Sequence, residues 1–249
     1  RRKKAGTGRG VQLIAANVNT LLIVTSANLD FNLARLERYL ALAVESGVTP
    51  LVLITKADLV EDASDFAREA CRLMPGLVVE AIDARKPEAL AVLAPWFGPG
   101  QTLALSGSSG VGKSTIVNTM LGTQTQSTHD IREHDAHGRH TTRGRTMHRL
   151  PSGAWLIDTP GMRELQILDA SEGIDDIFAD VTEIAGNCRF SDCTHATEPG
   201  CAVQAALTAG TLDPDRVKRY EKLQREDRRN SESLAQSRAR SQKFGRMAK

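Results

Sequence analysis

At 249 residues, with 32 Lys and Arg against 30 Asp and Glu, the chain can bury one substantial core and a smaller appendage, and its net charge is only +2. That balance excludes the uniformly basic and uniformly acidic classes, so where the charge sits matters more than its sum. No apolar run approaches the roughly 18 residues of a bilayer span, no signal-peptide pattern opens the chain, and three of the four cysteines crowd between 188 and 201; together these favour a cytoplasmic, metal-binding protein over a secreted disulfide framework.

Residues 1–10 carry five Lys or Arg, three Gly and no acid, the composition of a solvated arm or linker. Strands are predicted over 11–16 and 21–25. Leu33, Leu36, Leu40 and Val44 follow helical spacing, so a helix is predicted over 32–46, with Gly47 ending it. A short buried strand follows at 51–54, then a helix near 61–74, a strand at 77–82 and a helix near 87–97. This alternation predicts an α/β fold with a mainly parallel sheet covered by helices.

The 51–54 strand runs into Thr55-Lys56-Ala57-Asp58, at the strand end where α/β proteins present ligand loops. It resembles the Asn-Lys-x-Asp guanine-recognition element of GTPases, with Thr55 in place of Asn. A carboxylate at Asp58 can accept both N1–H and N2–H of guanine, a pair of donors that adenine lacks, and the wrong base leaves it unpaired. The Lys56 stem would cover the base plane. After the 77–82 strand, Asp83-Ala84-Arg85 occupies the place of a Ser-Ala-Lys element, whose backbone N–H near Ala84 would meet guanine O6; an ordinary surface turn is the competing reading.

A strand predicted at 102–106 leads into Gly107-Ser108-Ser109-Gly110-Val111-Gly112-Lys113-Ser114, which fits G-x-x-x-x-G-K-[ST] without a mismatch. Ile116, Val117, Met120 and Leu121 then recur at helical spacing. Strand, glycine loop and helix in that order aim backbone N–H groups and a helix dipole at one anion. Lys113 can reach the β- and γ-phosphates, the Ser114 hydroxyl can hold Mg²⁺, and Thr115 completes the nucleotide-facing turn.

Residues 122–147 are polar and hold His129, His134, His137 and His140, then Thr141-Thr142-Arg143-Gly144. A stretch this long without apolar pattern predicts a functional loop. Thr141 or Thr142 would complete the Mg²⁺ shell and bond the γ-phosphate, and His140 is the one candidate for a catalytic imidazole. Strands at 146–150 and 154–157 precede Asp158-Thr159-Pro160-Gly161, where Asp158 would hold Mg²⁺ through water and the Gly161 N–H would sense the γ-phosphate. Met162 stands where Ras-like enzymes have a water-positioning Gln, which predicts slow intrinsic hydrolysis.

Cys188, Cys193, His195 and Cys201 have the spacing C-x4-C-x-H-x5-C. Three thiolates and one imidazole fill a tetrahedral Zn²⁺ shell of the closed, structural type. Cys71 is read as a core residue. Helices are predicted through Val203, Ala206 and Leu207, and through Val217, Tyr220 and Leu223. From Arg228 to Lys249 seven Lys or Arg face one acid, a tail expected to be solvated when alone and suited to phosphate backbones.

The base element preceding the phosphate loop, the Gly138-Arg139-His140-Thr141-Thr142 segment, Asp158 to Gly161 and the Cys188/Cys193/His195/Cys201 pattern together resemble the ribosome small subunit-dependent GTPase A family. That resemblance implies a circularly permuted P-loop GTPase over 11–170, a mostly helical zinc-binding domain over 171–227 and a basic tail over 228–249. Residues 1–10 become a basic linker or the remnant of an upstream OB-fold domain. It further implies a GTP hydrolase stimulated by the small ribosomal subunit and its rRNA, acting late in that subunit's maturation as a cytoplasmic monomer. Expected cofactors are one structural Zn²⁺, and Mg²⁺ with GTP or GDP. The chain departs from the family at Thr55, at Asp83 and at Asn19, where an Asp is frequent. A GTP-gated RNA-binding module with negligible turnover is the competing reading, and a P-loop ATPase the third.

Overall fold

The computed structural model describes residues 2–3, 11–12, 15–123, 146–158 and 167–247, with side chains described from 15 to 231. Its centre is a six-stranded sheet in the order β5-β4-β3-β6-β8-β7. The strands are β3 (Thr20–Ser26), β4 (Thr49–Thr55), β5 (Val78–Ala81), β6 (Thr102–Gly107), β7 (Thr146–Arg149) and β8 (Trp155–Asp158). All neighbours are parallel except β7, which runs antiparallel to β8 along the edge. The mainly parallel α/β architecture read from the alternation is the one observed.

Strand placement differs at the amino end. Among the described residues there, Val11–Gln12 (β2) is extended and pairs with Arg2–Lys3 (β1) outside the main sheet. The predicted strand over 11–16 is therefore corrected: Ala15 and Ala16 are irregular. The first strand of the sheet starts at Thr20 and is set by Asn19. Its side-chain Oδ1 accepts from Thr102 N at 2.8 Å, while its carbonyl accepts from Thr49 N at 3.0 Å. Asn19 thus ties the starts of β6 and β4 to β3. An acceptor is all this position uses, which an Asp supplies equally.

Alternation along the strands divides the core. Leu22, Val24, Leu51, Leu53, Leu103, Leu105 and Leu156 face α3 (Pro87–Leu90), the 3₁₀ turn that extends it to Trp96, and α4 (Lys113–Leu121). The predicted 87–97 helix is thus split, because Pro95 inside it cannot donate an amide. Ile23, Val52 and Ile54 face α1 (Leu33–Glu45) and α2 (Ser64–Cys71). Asn32 caps α1, its Oδ1 accepting from Arg35 N at 2.9 Å. Cys71 is exposed, not the core residue expected.

The same second face carries the carboxyl-terminal helices α5 (Ser171–Ile177), α6 (Ala179–Ala185), α7 (Ala202–Thr208) and α8 (Pro214–Met247). Ile177, Phe178, Val203, Val217, Tyr220 and Leu223 join Leu36, Leu40 and Val52 in one buried cluster. Polar anchoring is equally specific. Glu37 on α1 is fully buried and meets Arg216 at 3.0 Å and Arg219 at 2.9 Å. Burial pushes the Glu37 carboxyl above its usual range, against the pull of both arginines. Arg216 also donates to the carbonyls of Leu73 and Ile177 and lies 4.4 Å from the Phe178 ring centroid.

The backbone of α8 continues as helix through 228 to Met247, where composition predicts a solvated tail. At 1.5 Å per residue this 34-residue helix is about 50 Å long. Docking explains how it is held beyond its apolar positions: Asp227 Oδ1 accepts from Ala170 N at 3.1 Å and Asn230 Nδ2 donates to Ile167 O at 2.7 Å.

Gly173 is where α5 presses on α1. A Cβ there would sit 2.2 Å from Ala41 O and 2.9 Å from Glu45 N. Gly173→Ala is expected to lower stability by about 1–3 kcal/mol through forced separation of the two helices, read as a shifted urea midpoint at unchanged slope.

Candidate functional site

The loops leaving β4, β5 and β6 lie at one end of the sheet. β3 is flanked by β4 and β6, with Ser26 opposite Thr55 and Val24 opposite Gly107. The chain proceeds from β3 to one side and returns to the other with β6, which makes this end the topological switch point where α/β sheets bind ligands.

The phosphate-loop residues adopt the local geometry that their sequence requires. Gly107, Gly110 and Gly112 have φ of +145°, +79° and +92°, values that side chains rarely tolerate. α4 starts at Lys113, and its first intrahelical bond on this side is Ile116 N to Gly112 O at 3.0 Å. The amides of Lys113, Ser114 and Thr115 precede it, as an anion cradle at a helix start demands. The Lys113 ammonium lies 2.8 Å from Gly107 O and also donates to Ser108 O, so it is folded onto the loop that it would share with a phosphate. Val111 is buried and pins the loop to the core, while Ser109 and Gly110 are more open.

Thr55 joins the base element to this loop. Its hydroxyl donates to Val111 O at 2.6 Å, with Thr25 O also within reach at 3.1 Å. Gly112 packs on the same side chain, its Cβ position 3.5 Å from Thr55 Oγ1. A second tie runs from α4, where the Thr119 hydroxyl lies 2.7 Å from Ala84 O. The three loops are therefore one unit. Thr119 has no signal in the sequence, since a Thr on the second turn of a helix resembles any other polar position.

Lys56 has φ of +58°, a strained conformation for a side-chain-bearing residue. It turns the chain out of β4 into the single 3₁₀ turn Ala57–Leu59 and brings Asp58 beside the loop after β5. There Arg85 Nη2 lies 2.7 Å from Asp58 Oδ2. Arg85 also grips Asp83, Nε to Oδ1 at 2.8 Å and Nη2 to Oδ2 at 3.0 Å. That guanidinium holds the Asp83 carboxyl down at about 2. Asp158, at the end of β8, is buried and sits opposite Leu105 on β6, on the face that α4 covers. His140, Thr141, Thr142 and Gly161 lie outside the described residues, as does Met162.

The second site is in the carboxyl-terminal part. Ligand atoms of Cys188, Cys193, His195 and Cys201 all lie within 4.8 Å of one another. Cys188 Sγ is 3.9 Å from Cys201 Sγ, and His195 Nδ1 is 3.6 Å from each of the two. A tetrahedral ion with bonds near 2.3 Å has ligand-to-ligand edges of about 3.8 Å, so the donor set fits a single metal ion. The thiols would bind it as thiolates. Burial pushes Cys193 up to about 11, whereas Cys188, despite burial, is drawn down by the backbone N–H groups of Val203 and Ala202. Three neighbouring sulfurs cannot all be anionic without a cation.

The ligand loop is braced by residues that spacing did not reveal. Glu198 accepts from the Thr194 hydroxyl and from the Thr194, Ala196 and Thr197 amides, the last three at 2.9, 3.0 and 3.0 Å, and the Thr194 hydroxyl above all holds its carboxyl at about 2. Gln204 Nε2 donates to His195 O, fixing a ligand whose φ is +60°. An acid between two metal ligands was the available signal. Among the described residues no helix is long and apolar enough to cross a membrane.

Comparison with known proteins bears on both sites. The sequence profile of the family described as RsgA GTPase matches residues 1–168. The chain is 59% identical over 227 residues to the small ribosomal subunit biogenesis GTPase RsgA of Mesorhizobium japonicum, covering 90% of this chain and 66% of that protein. It is 51% identical over 248 residues to RsgA 2 of Vibrio parahaemolyticus, covering 100% of this chain and 69% of that protein. The chain thus spans about two thirds of the length of such relatives. Among solved structures it is similar to YloQ, described as a circularly permuted GTPase, with a TM-score of 0.60 and 27% identity over 86% of this chain and 70% of that one. YjeQ from Thermotoga maritima shares the fold, with a TM-score of 0.58 at 24% identity over 83% of this chain and 70% of that one. A permuted order of base and phosphate loops, one metal-fitting Cys3His cluster and the profile match over more than half of its length lead to the same assignment: the chain belongs to the RsgA GTPase family.

Proposed function

We propose that this chain hydrolyses GTP to GDP and phosphate and acts in maturation of the small ribosomal subunit, with turnover slow until the subunit and its rRNA are engaged. The observation that carries the reading is the 2.6 Å hydrogen bond from Thr55 to Val111 O, which makes the base loop and the phosphate loop one pocket although the sequence inverts their usual order. In this reading Asp58 selects guanine, with the Lys56 stem against the base and the amide near Ala84 toward O6. The amides of Gly107 to Thr115 and the Lys113 ammonium hold the phosphates. Mg²⁺, when bound, neutralises phosphate charge; Ser114, Asp158 and Thr141 or Thr142 are the residues to hold it. Gly161 reports the γ-phosphate, and His140 stands beside the threonines as a candidate for handling the attacking water, since Met162 cannot.

Zinc is the metal proposed for the Cys188/Cys193/His195/Cys201 cluster, because a closed Cys3His shell leaves no position for catalytic water. The basic extension of α8 is the proposed rRNA contact, and the chain works as a cytoplasmic monomer. Residues 11–170, 171–227 and 228–249 remain the proposed functional units, although α1 and α8 share one core.

Phosphate release measured with and without small subunits tests the enzyme reading. Strong stimulation is expected; turnover indifferent to the subunit favours a GTP-gated RNA-binding module. Competition of GDP against ADP tests the base. Asp58→Asn is expected to cost about 2 kcal/mol of GDP affinity, roughly thirtyfold, because one of the two guanine donors then meets an amide NH2 instead of a carboxylate oxygen. Equal competition by ADP in the unmutated chain points instead to an ATPase.

A further inference from the structure

Asp83-Ala84-Arg85 departs from the Ser-Ala-Lys pattern at both ends, and the side chains at those ends form a fork aimed at Asp58. Asp83, whose side chain is only 10% exposed, binds both Nε and Nη2 of Arg85. Arg85 N also donates to Asp83 Oδ1 at 3.1 Å, so backbone and guanidinium are fixed by one carboxylate. Nη2 is left with a second hydrogen, directed to Asp58 Oδ2 at 2.7 Å.

We propose that Arg85 is a positioning residue for guanine selection, holding the Asp58 carboxylate so that both of its oxygens face the base. The inference rests on the guanine reading of Asp58 given above. A carboxylate oxygen has two lone pairs, so Oδ2 can keep Arg85 on one and accept a guanine donor on the other. A freely rotating carboxylate presents its two oxygens to N1–H and N2–H together only part of the time. Isolated exposed ion pairs contribute little, but this one is a bidentate fork that is anchored before it reaches Asp58. The low pKa of Asp83, about 2, keeps the anchor charged at any pH at which the protein is handled. Arg85 further separates two carboxylates, Asp58 and Asp83, that would otherwise repel across the loop.

The test is equilibrium titration of the whole chain with GDP, inosine diphosphate and ADP. Inosine diphosphate lacks the N2 amino group and so reports whether one or both carboxylate oxygens are in use. Arg85→Ala is expected to weaken GDP binding about tenfold and inosine diphosphate binding much less, collapsing the preference between them. Arg85→Lys, which reaches Asp58 or Asp83 without forking between them, is expected to fall between the two. Asp83→Asn keeps Arg85 but loosens its anchor and is expected to shift the same ratio by a smaller factor. Because Arg85 is 66% exposed, its truncation leaves the core intact; should that variant fail to fold, Asp83→Asn carries the test alone.

GDP binding by Arg85→Ala that equals or exceeds the unmutated chain overturns the proposal, since the guanidinium would then be a competitor of the base. Parallel losses for GDP and inosine diphosphate overturn it too, leaving only a general charge effect. A failure of the underlying reading looks different, because the unmutated chain would then bind ADP as well as GDP.

Discussion

Removing the zinc proposed for the Cys188/Cys193/His195/Cys201 cluster with a strong chelator is expected to unfold the ligand loop and release α7 and α8 from the sheet. Structural zinc contributes roughly 10 kcal/mol or more to the folding of such sites, comparable with the whole stability of a domain. The loss will not stay local. α7 and α8 supply Val203, Val217, Tyr220 and Leu223 to the cluster that buries Leu36, Leu40 and Val52, and Arg216 and Arg219 neutralise the buried Glu37. Without them Glu37 is an unpaired charge in the core, a situation that costs about 3–5 kcal/mol. The melting temperature is therefore expected to fall by at least about 10 °C, since each kcal/mol is worth about 2–4 °C at this size, and GDP binding should weaken with it. Acid acts in the same direction, because protons compete with the metal for the thiolates. Circular dichroism melts with parallel measurement of released zinc provide the check, and a melting curve indifferent to chelation would show that the four residues hold no structural ion.

Gly107→Ala is expected to abolish useful nucleotide binding. At φ +145° this residue is in a region reserved for glycine, and a Cβ there would sit 2.2 Å from Val24 O and 3.1 Å from Val24 C. Those atoms belong to the neighbouring strand, where Val24 pairs with Gly107. Neither can move without separating β3 from β6. Backbone strain and overpacking each cost about 1–3 kcal/mol, and the displaced loop carries the Thr55–Val111 bond with it. GDP affinity should drop at least about a hundredfold, the equivalent of roughly 3 kcal/mol, together with a lower urea midpoint. Gly122→Ala is the control. That glycine also has positive φ, +66°, but nothing lies within 4 Å of its Cβ position, so it should cost about 1 kcal/mol and leave binding in place.

Legibility followed sequence distance. The phosphate loop could be read because Gly107, Gly112, Lys113 and Ser114 must be adjacent to wrap one anion, and the metal site because its four ligands lie within one short loop. Strand and helix order was legible where the periods of 2 and 3.6 were clean, as in α1. It differed at the amino end, where Val11–Gln12 pairs with Arg2–Lys3 outside the main sheet and Ala15 and Ala16 are irregular, and at 87–97, where Pro95 broke the helix. After Arg228 composition suggested a solvated tail and carried no signal for the helical backbone with which α8 continues.

By itself the sequence determined the residue sets: a glycine-rich phosphate-loop motif, the carboxylate proposed to select the base and a Cys3His cluster that fits one metal ion, each written into residues a few positions apart. Only the tertiary structure decided which distant segments are joined. Thr55 reaches Val111 across 56 positions, Arg85 reaches Asp58 across 27, and Arg216 reaches Glu37 across 179. Contacts of that range leave no periodic trace, because they depend on which strands pair and which faces are covered, and those are settled by burying the whole chain at once.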